Sequence, residues 1–379
     1  MKKSIRAFTL FLAVLLLVIP VNAADYEAKS VLLMEASTGK VLMEENADQA
    51  LPPASVTKIM TLLLVMEAID DGRLSWEEPV QTSEFAASMG GSQVFLEPGE
   101  ELSVQDMVKC VVISSANDAA AALAEKVAGS EEAFVAKMNE KAAELGMANT
   151  HFENTNGLDD SVTEHLTSAR DIAIMSRELI TKHPKILEYS SIWMDSIRDG
   201  AFGLTNTNRL IRFYRGANGL KTGSTSKAGY CISATAERNG MTLIAVVMGA
   251  PSRDKRNEIA KKMLDSGFAA WEIASPSVGN IAPLPVKGGC EREPLLSVED
   301  CSLLVKKGQA AKLSSTVELP DHVKAPIREG DVIGYVHYHS DGEELITAEI
   351  HAAETVERVG FGDLFSDFLR HILFVRDFF

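Results

Sequence analysis

The sequence predicts an α+β protein that has an antiparallel sheet flanked by helices, a helical subdomain, a small all-β domain and a C-terminal amphipathic helix. Two β-rich runs on either side of Asn239-Gly240 are a strong hairpin signal. Capping residues and apolar periodicity between residues 55 and 182 predict the helical subdomain. After residue 280, short β-type runs alternate with Gly and Pro turns, which predicts the all-β domain.

The elements of the first, larger domain follow one another along the chain. Residues 31–34 and 40–43 flank Ser37-Thr-Gly39 as a first hairpin, which would share the antiparallel sheet with the Asn239-Gly240 hairpin and a strand carrying Lys221. Capping residues, apolar periodicity and terminal glycines predict helices at residues 55–70, 103–113, 117–128, 131–145, 168–182 and 253–273.

The chain divides into four predicted segments. Residues 1–23 begin with basic residues, continue with an apolar run and end in Val21-Asn-Ala23, which is typical of a secretory signal peptide cleaved after Ala23. The large domain would span residues 24–274, because the segment after it is polar, rich in Pro and Gly, and not periodic. The all-β domain would span residues 281–357.

The last segment, residues 358–379, is predicted to be an amphipathic helix that lies in a membrane surface. Residues 361–379 hold six of the chain's fifteen Phe at helical spacing, with charged residues between them. Two Arg against three Asp leave this stretch a formal charge of −1, so insertion of Phe and Leu would have to hold it. The alternative is a helix packed on the protein's own all-β domain.

Composition excludes some classes of function. With 379 residues, of which 46% are hydrophobic, the chain can bury a substantial core. Its formal net charge of −16 makes nucleic-acid binding improbable, because contact with phosphates needs a basic surface.

Neither cysteines nor histidines indicate a metal site, and no cofactor is predicted. Cys110 and Cys231 lie in apolar runs and are predicted to be inert core thiols, whereas Cys290 and Cys301 could pair, which spacing alone does not decide. His337 and His339 share one strand face without a third ligand. The other histidines considered are predicted to take surface or loop positions: His151, His165, His183, His322, His351 and His371.

Three short motifs carry the chemistry: Ser55-Val-Thr-Lys58, Ser115-Ala-Asn117 and Lys221-Thr-Gly223. Ser-x-x-Lys occurs four times in the chain, but only Ser55 is followed by a long apolar run, so Ser55 is predicted to open a buried helix with Lys58 on the same face. Each motif alone is more often a helix cap or a turn. The three in this order indicate a serine acyl-transfer site.

On these motifs the chain resembles the low-molecular-weight penicillin-binding proteins that act as serine-type D-alanyl-D-alanine carboxypeptidases. The resemblance covers nearly the whole chain and includes residues 36–39, 87–93, 156–159 and 169–171. It implies a penicillin-binding-protein/β-lactamase-like domain, a peptidoglycan stem peptide as substrate and β-lactam antibiotics as inhibitors. It also implies export to the outer face of the cytoplasmic membrane, on the periplasmic or cell-wall side.

The predicted catalytic residues are Ser55, Lys58, Ser115 and Asn117. Ser55 would attack the carbonyl between two terminal D-alanines. Lys58 would be the general base, because burial and the cation of Lys221 can lower its pKa from about 10.4. The resemblance implies that Ser115 relays a proton to the leaving amine and that Asn117 binds the substrate amide and orients Lys58.

The predicted substrate-binding residues are Lys221, Thr222, Gly223, Ser224 and Arg256. Lys221 and Thr222 would hold the terminal carboxylate, and Gly223 would allow a close backbone approach. The resemblance adds Arg256 to the carboxylate clamp. It also implies that the N–H groups of Ser55 and Ser224 meet the oxyanion.

Some alternatives remain open from the sequence. Class A β-lactamases carry Glu-x-x-Leu-Asn between the second and third motifs and usually Asp where this chain has Ala116; the element is absent here, which disfavours rapid β-lactam hydrolysis. A D,D-endopeptidase or a weak β-lactamase would use the same residues. A wall-binding protein with a vestigial site is the alternative from another class.

Overall fold

The computed structural model describes residues 26–160, 162–276, 278, 281, 284–290, 293–299, 301–340, 342–362, 365, 368 and 369. The predicted signal peptide, residues 1–23, lies outside the described residues, and so does most of the predicted terminal helix. Within that helix, the backbone of residues 361, 362, 365, 368 and 369 is helical.

The strands of the large domain and of its link to the β domain form one main sheet and several two-stranded pairs. They are β1 (Ser30–Glu35), β2 (Val41–Glu45), β3 (Pro79–Gln81), β4 (Glu101–Ser103), β5 (Met194–Ile197), β6 (Phe202–Thr205), β7 (Ala217–Thr225), β8 (Gly229–Arg238), β9 (Met241–Ala250) and β10 (Trp271–Ala274).

Nine α-helices are described in the large domain. They are α1 (Lys58–Asp70), α2 (Glu84–Ala87), α3 (Val104–Ile113), α4 (Asn117–Ala128), α5 (Glu131–Glu144), α6 (Ala169–Lys182), α7 (Ile186–Ser190), α8 (Leu210–Phe213) and α9 (Arg253–Ala270), with short 3-10 turns at Ala54–Thr57 and Ala310–Lys312.

The main sheet is antiparallel, with strand order β2-β1-β9-β8-β7. Alternate residues of β1 and β9 point into two different cores, as the two-residue period of a strand requires. Leu32 and Val246 pack with α1 and its helical neighbours, whereas Leu33 and Val247 pack against α9. Because both faces are covered, these strands read as continuous apolar runs. The predicted antiparallel sheet is confirmed.

Helix α1 is buried on nearly all sides, from Lys58 through Met66. This explains the unbroken apolar run after the first motif, since a helix surrounded by protein needs no polar face. The predicted helix, residues 55–70, is wrong at its start: Ser55 lies in the 3-10 turn Ala54–Thr57, and the α-helix begins at Lys58. The turn still places Ser55 and Lys58 on one side, because Lys58 N–H donates to the Ser55 carbonyl.

The last helix of the large domain is shorter than predicted. It ends at Ala270 rather than at residue 273, and Trp271–Ala274 is strand β10. That strand pairs antiparallel with Leu303–Lys306, and Ala274 packs in the core of the β domain. Pairing with a strand thirty residues further on is a long-range contact, which local helical periodicity does not report.

The β domain contains strands β11 (Val286–Lys287), β12 (Leu296–Val298), β13 (Leu303–Lys306), β14 (Leu313–Glu318), β15 (Val323–Lys324), β16 (Val332–Ser340) and β17 (Glu343–Ala352). Four of them form a sheet of order β12-β17-β16-β14. Val336 and Tyr338 are buried on its inner face, while His337 bonds Glu318 and Glu344 on the outer one.

The four cysteines are free thiols. Cys110 and Cys231 are buried, and burial raises the pKa of both thiols, as expected for inert core positions. Cys290 and Cys301 are not bonded to each other. No cluster of His, Cys, Asp and Glu within the described residues could hold a metal ion. In the part of the chain that the structure describes, no helix combines the length and the apolar character needed to cross a bilayer.

Candidate active site

The structure brings the three motifs together. The 3-10 turn and α1 supply Ser55 and Lys58, the break between α3 and α4 supplies Ser115 and Asn117, and β7 supplies Lys221. Lys58 Nζ lies 2.9 Å from Ser55 Oγ and 2.5 Å from Asn117 Oδ1. Lys221 Nζ lies 2.8 Å from Ser115 Oγ. The site therefore consists of two lysine–serine pairs.

Lys58 is fully buried, and three oxygens surround its amine. They are Ser55 Oγ, Asn117 Oδ1 and the Asn156 carbonyl oxygen at 2.7 Å. Burial and then the cation of Lys221 hold the pKa of Lys58 well below its usual value, although the Asp118 carboxylate acts in the opposite direction. A neutral amine has two N–H groups and one lone pair. It can donate to the two amide oxygens and keep the lone pair for the Ser55 hydroxyl.

Lys221 is also buried, on the opposite wall. Its amine donates to Ser115 Oγ and, at 2.8 Å, to the Thr222 carbonyl. Burial and the cation of Arg256 lower the pKa of Lys221 to about 7. Among the described residues, neither lysine amine has a carboxylate as a hydrogen-bond partner, so desolvation is only weakly compensated and the pKa of both amines is lowered.

The backbone around the second motif is constrained. Ser115 has φ +64°, an uncommon value for a residue with a side chain. Asn117 N–H donates to the Ser92 carbonyl at 2.7 Å, and its side-chain amide donates to the Gly90 carbonyl at 2.6 Å. Because its Nδ2 is used in this way, the Asn117 carbonyl oxygen is turned towards Lys58. The residues between 87 and 93 thus support the second motif.

Strand β7 packs closely against the turn that holds Ser55. A Cβ on Gly223 would lie 2.8 Å from the amide nitrogen of Ser55 and 2.9 Å from that of Val56. Only glycine permits this approach, as the sequence predicts. The neighbouring Thr222 hydroxyl donates to Thr207 Oγ1 at 2.8 Å.

These walls enclose a cleft of about 700 Å³. Ser55, Ser115, Thr222 and Gly223 lie at its surface, as do Ser224 and Arg256. Lys58, Asn117 and Lys221 do not line the cleft but lie buried behind the two serines. The cleft is cationic: its lining includes three arginines and, among the described residues, no Asp or Glu. These arginines are Arg209, Arg253 and Arg256.

Sequence reasoning missed several residues around Ser55. The Asn156 carbonyl, which bonds Lys58, lies in a stretch noted only for its family resemblance. Asp159 in the same stretch accepts from Thr225 Oγ1 of β7 at 2.5 Å. His165 and His183 lie in loops, as predicted, but both side chains are buried. Burial lowers the pKa of His165 to about 4, so its ring is neutral at physiological pH.

The site has a serine beside a buried lysine and a second lysine–serine pair across an open cleft. This arrangement is that of a serine acyl-transfer enzyme. Residues 18–252 match the D-alanyl-D-alanine carboxypeptidase family, peptidase S11. Residues 281–358 match the C-terminal domain of penicillin-binding protein 5. The chain belongs to the serine-type D-alanyl-D-alanine carboxypeptidases, which are hydrolases.

Individual relatives agree with this assignment. The chain is 45% identical over 343 residues to D-alanyl-D-alanine carboxypeptidase DacF of Bacillus subtilis, covering 89% of this chain and 87% of the relative. The chain is also similar to penicillin-binding protein 5 from Haemophilus influenzae, whose crystal structure matches at 32% identity and TM-score 0.73. The match covers 88% of this chain and 98% of that protein's chain. A third match is penicillin-binding protein D2 from Listeria monocytogenes in its ampicillin-bound form, at 34% identity and TM-score 0.60. The match covers 65% of this chain and 99% of that protein's chain.

Proposed function

We propose that this cleft cleaves the bond between the two terminal D-alanines of a peptidoglycan stem peptide through an acyl-enzyme on Ser55. The observation that carries the proposal is the set of oxygens around Lys58 Nζ. Asn117 Oδ1 and the Asn156 carbonyl can only accept, so a neutral amine presents its lone pair to Ser55 Oγ at 2.9 Å. Burial and the Lys221 cation favour that neutral form.

In the acylation step, the Ser55 hydroxyl proton passes to Lys58 Nζ while Oγ bonds to the substrate carbonyl carbon. The bond from that carbon to the terminal D-alanine nitrogen then breaks. The leaving amine takes the proton that Lys58 accepted from Ser55, passed on by way of the Ser115 hydroxyl, which is hydrogen-bonded to Lys221. Lys58 is then neutral again and can accept a proton from water in the next step. Water repeats the attack on the Ser55 ester and releases the shortened peptide.

The oxyanion in each step would be met by the backbone N–H groups of Ser55 and Ser224. The close packing of Gly223 against the Ser55 amide supports this pairing, because Ser224 directly follows Gly223 in strand β7. Preorganised donors of this kind are worth about 3–4 kcal/mol in the transition state.

The free carboxylate of the terminal D-alanine would bind to Thr222 and Arg256, which line the cleft, with the charge of the buried Lys221 behind them. The cleft favours an anion locally even though the chain has a formal charge of −16, because arginines line it without a carboxylate among the described lining residues. The stem peptide would add as a strand beside β7, which is the edge strand of the main sheet among the described residues.

The direct test is to label the purified protein with a fluorescent penicillin and map the adduct by mass spectrometry. We expect the label on Ser55, and ampicillin in the related Listeria protein makes a β-lactam a suitable probe. A label on another residue would overturn the assignment. Absence of both label and turnover would favour a vestigial, wall-binding protein.

Product analysis distinguishes the proposed activity from its neighbours. Release of free D-alanine from a pentapeptide, with little conversion of cross-linked dimers to monomers, is the expected result. Predominant conversion of dimers would identify an endopeptidase, and rapid turnover of free penicillin would identify a β-lactamase.

We also propose that the enzyme is exported, with its signal peptide cleaved after Ala23, and is held at the outer membrane face by residues 361–379. The proposed domain limits are residues 24–274, 281–357 and 358–379. Exposed aromatic side chains support the membrane contact: Phe361 is 83% exposed, Phe368 59% and Phe365 49%.

Vesicle co-sedimentation tests the membrane contact. The mature chain should bind neutral vesicles, and binding should persist at high salt because apolar insertion drives it. A chain truncated after residue 358 should not bind. Equal sedimentation of the two chains would contradict the proposal.

A further inference from the structure

The peptide bond before Ser55 is held by a buried hydrogen-bond chain outside the three motifs. Ala54, which precedes Ser55, has φ +48°, an uncommon value for a residue with a Cβ. Its carbonyl oxygen accepts from Thr57 Oγ1 at 2.9 Å. Gly157 lies so close to the same carbonyl that a Cβ there would collide with it. The Ala54 carbonyl is thus fixed from two sides.

The direction of this chain follows from His165. Glu153 N–H lies 3.0 Å from His165 Nδ1 and can only donate, so Nδ1 is the acceptor and the ring proton is on Nε2. His165 Nε2 lies 2.8 Å from Thr57 Oγ1 and therefore donates to it. The Thr57 hydroxyl, with this lone pair occupied, directs its own proton to the Ala54 carbonyl.

A planar peptide unit transmits this constraint to the site. The Ala54 carbonyl and the Ser55 N–H belong to one peptide group and point in opposite directions. Fixing the carbonyl therefore fixes where the Ser55 N–H points. Thr57 is fully buried and His165 is 3% exposed, so bulk water is not available to replace either hydrogen bond.

We infer that Thr57 and His165 are positioning residues that orient the Ser55 N–H towards the oxyanion. The inference rests on the proposed function, because it assumes that the Ser55 N–H meets the oxyanion. Neither residue lines the cleft, so they act through the peptide unit and not by touching substrate. Loss of the chain should weaken transition-state stabilisation and leave substrate binding unchanged.

The test is acylation kinetics with a chromogenic penicillin, separating the non-covalent dissociation constant from the maximal acylation rate. Thr57→Val removes the hydroxyl and keeps the branched shape, whereas Thr57→Ser keeps the hydroxyl. We expect Thr57→Val to lower the maximal rate by about 10- to 100-fold, part of the loss seen when an oxyanion donor is removed. The dissociation constant should not change, and Thr57→Ser should restore the rate.

A matched control separates positioning from general loss of stability. Thr150→Val removes the hydroxyl of a half-buried threonine that bonds Thr167 Oγ1 and the Asp171 carboxylate, each at 2.7 Å. Thr150 and its two partners do not line the cleft. The substitution should lower the melting temperature without changing the maximal acylation rate of the folded enzyme. If Thr57→Val does not fold, His165→Leu replaces it, with the same expected loss of rate.

The pH profile checks that the substitution leaves the general base intact, so that a loss of maximal rate is not due to a change at Lys58. The pH at which acylation rises should be the same in Thr57→Val and wild type, because Lys58 keeps its partners. A wild-type maximal rate in both Thr57→Val and His165→Leu would overturn the inference while Ser55 is still labelled. A label on another residue would instead overturn the proposed function.

Discussion

Replacing Gly223 by Ala tests the close approach on which the site geometry depends. The added Cβ would lie 2.8 Å from both the Pro53 carbonyl oxygen and the Ser55 amide nitrogen, and 2.9 Å from the Val56 nitrogen. All three are backbone atoms, so no side chain can rotate away. Reaching an ordinary contact of 3.4 Å requires β7 and the Ser55 turn to separate by about 0.6 Å.

A displacement of this size is comparable to the tolerance of a catalytic site, which is about 0.5 Å. A misplacement of about 1 Å can cost about a hundredfold in rate, so we expect Gly223→Ala to slow acylation by about 10- to 100-fold. The assay is the rate of acylation by fluorescent penicillin, together with the melting temperature. Gly203→Ala is the matched control, because nothing lies within 4 Å of a Cβ at that glycine. Wild-type acylation by Gly223→Ala would refute the reasoning.

Further predictions concern the two lysines and Arg256. Lys58→Met should fold and lose acylation by about a thousandfold or more, since the base is removed, and retention of wild-type acylation would exclude Lys58 as the base. Because the pKa of Lys58 is lowered on folding, the unfolded chain binds more protons than the folded chain between that lowered pKa and about pH 10.5. The free energy of unfolding should therefore rise with pH across that window, and denaturant titration of Lys58→Met should show a shallower rise. Acylation should increase as Lys58 loses its proton and decrease as Lys221, with a pKa of about 7, loses its cation. Arg256→Gln should move that alkaline limb to higher pH, because the Arg256 cation lowers the pKa of Lys221; an unmoved limb would contradict the assignment.

Local signals in the sequence were sufficient to predict most helices and strands of the large domain. Ser103 caps α3 by accepting from Asp106 N–H, and α4 ends before Gly129, which has φ +86°. Asn239 and Gly240 have φ +52° and +75° between β8 and β9, as a two-residue hairpin turn requires. Each of these features depends on residues within a few positions, so sequence alone predicts it.

Long-range packing decided the features that the sequence did not predict. Strand β10 forms because Leu303–Lys306 pairs with it. His165 is buried because Thr57, more than a hundred residues away, bonds its ring. The Asn156 carbonyl reaches Lys58 through the backbone, and a backbone acceptor has no residue type by which a motif could identify it. The three motifs predicted the principal side chains, but not the groups that hold them.

The protonation state of Lys58 tests the central claim most directly. Nitrogen-15 NMR of the enzyme with labelled lysine side chains, with Lys58 assigned by its loss in Lys58→Met, reports the amine through its chemical shift. We expect a neutral Lys58 amine at about pH 7.5, beside an unmodified Ser55 hydroxyl. An ammonium signal for Lys58 that persists to about pH 10 would contradict it.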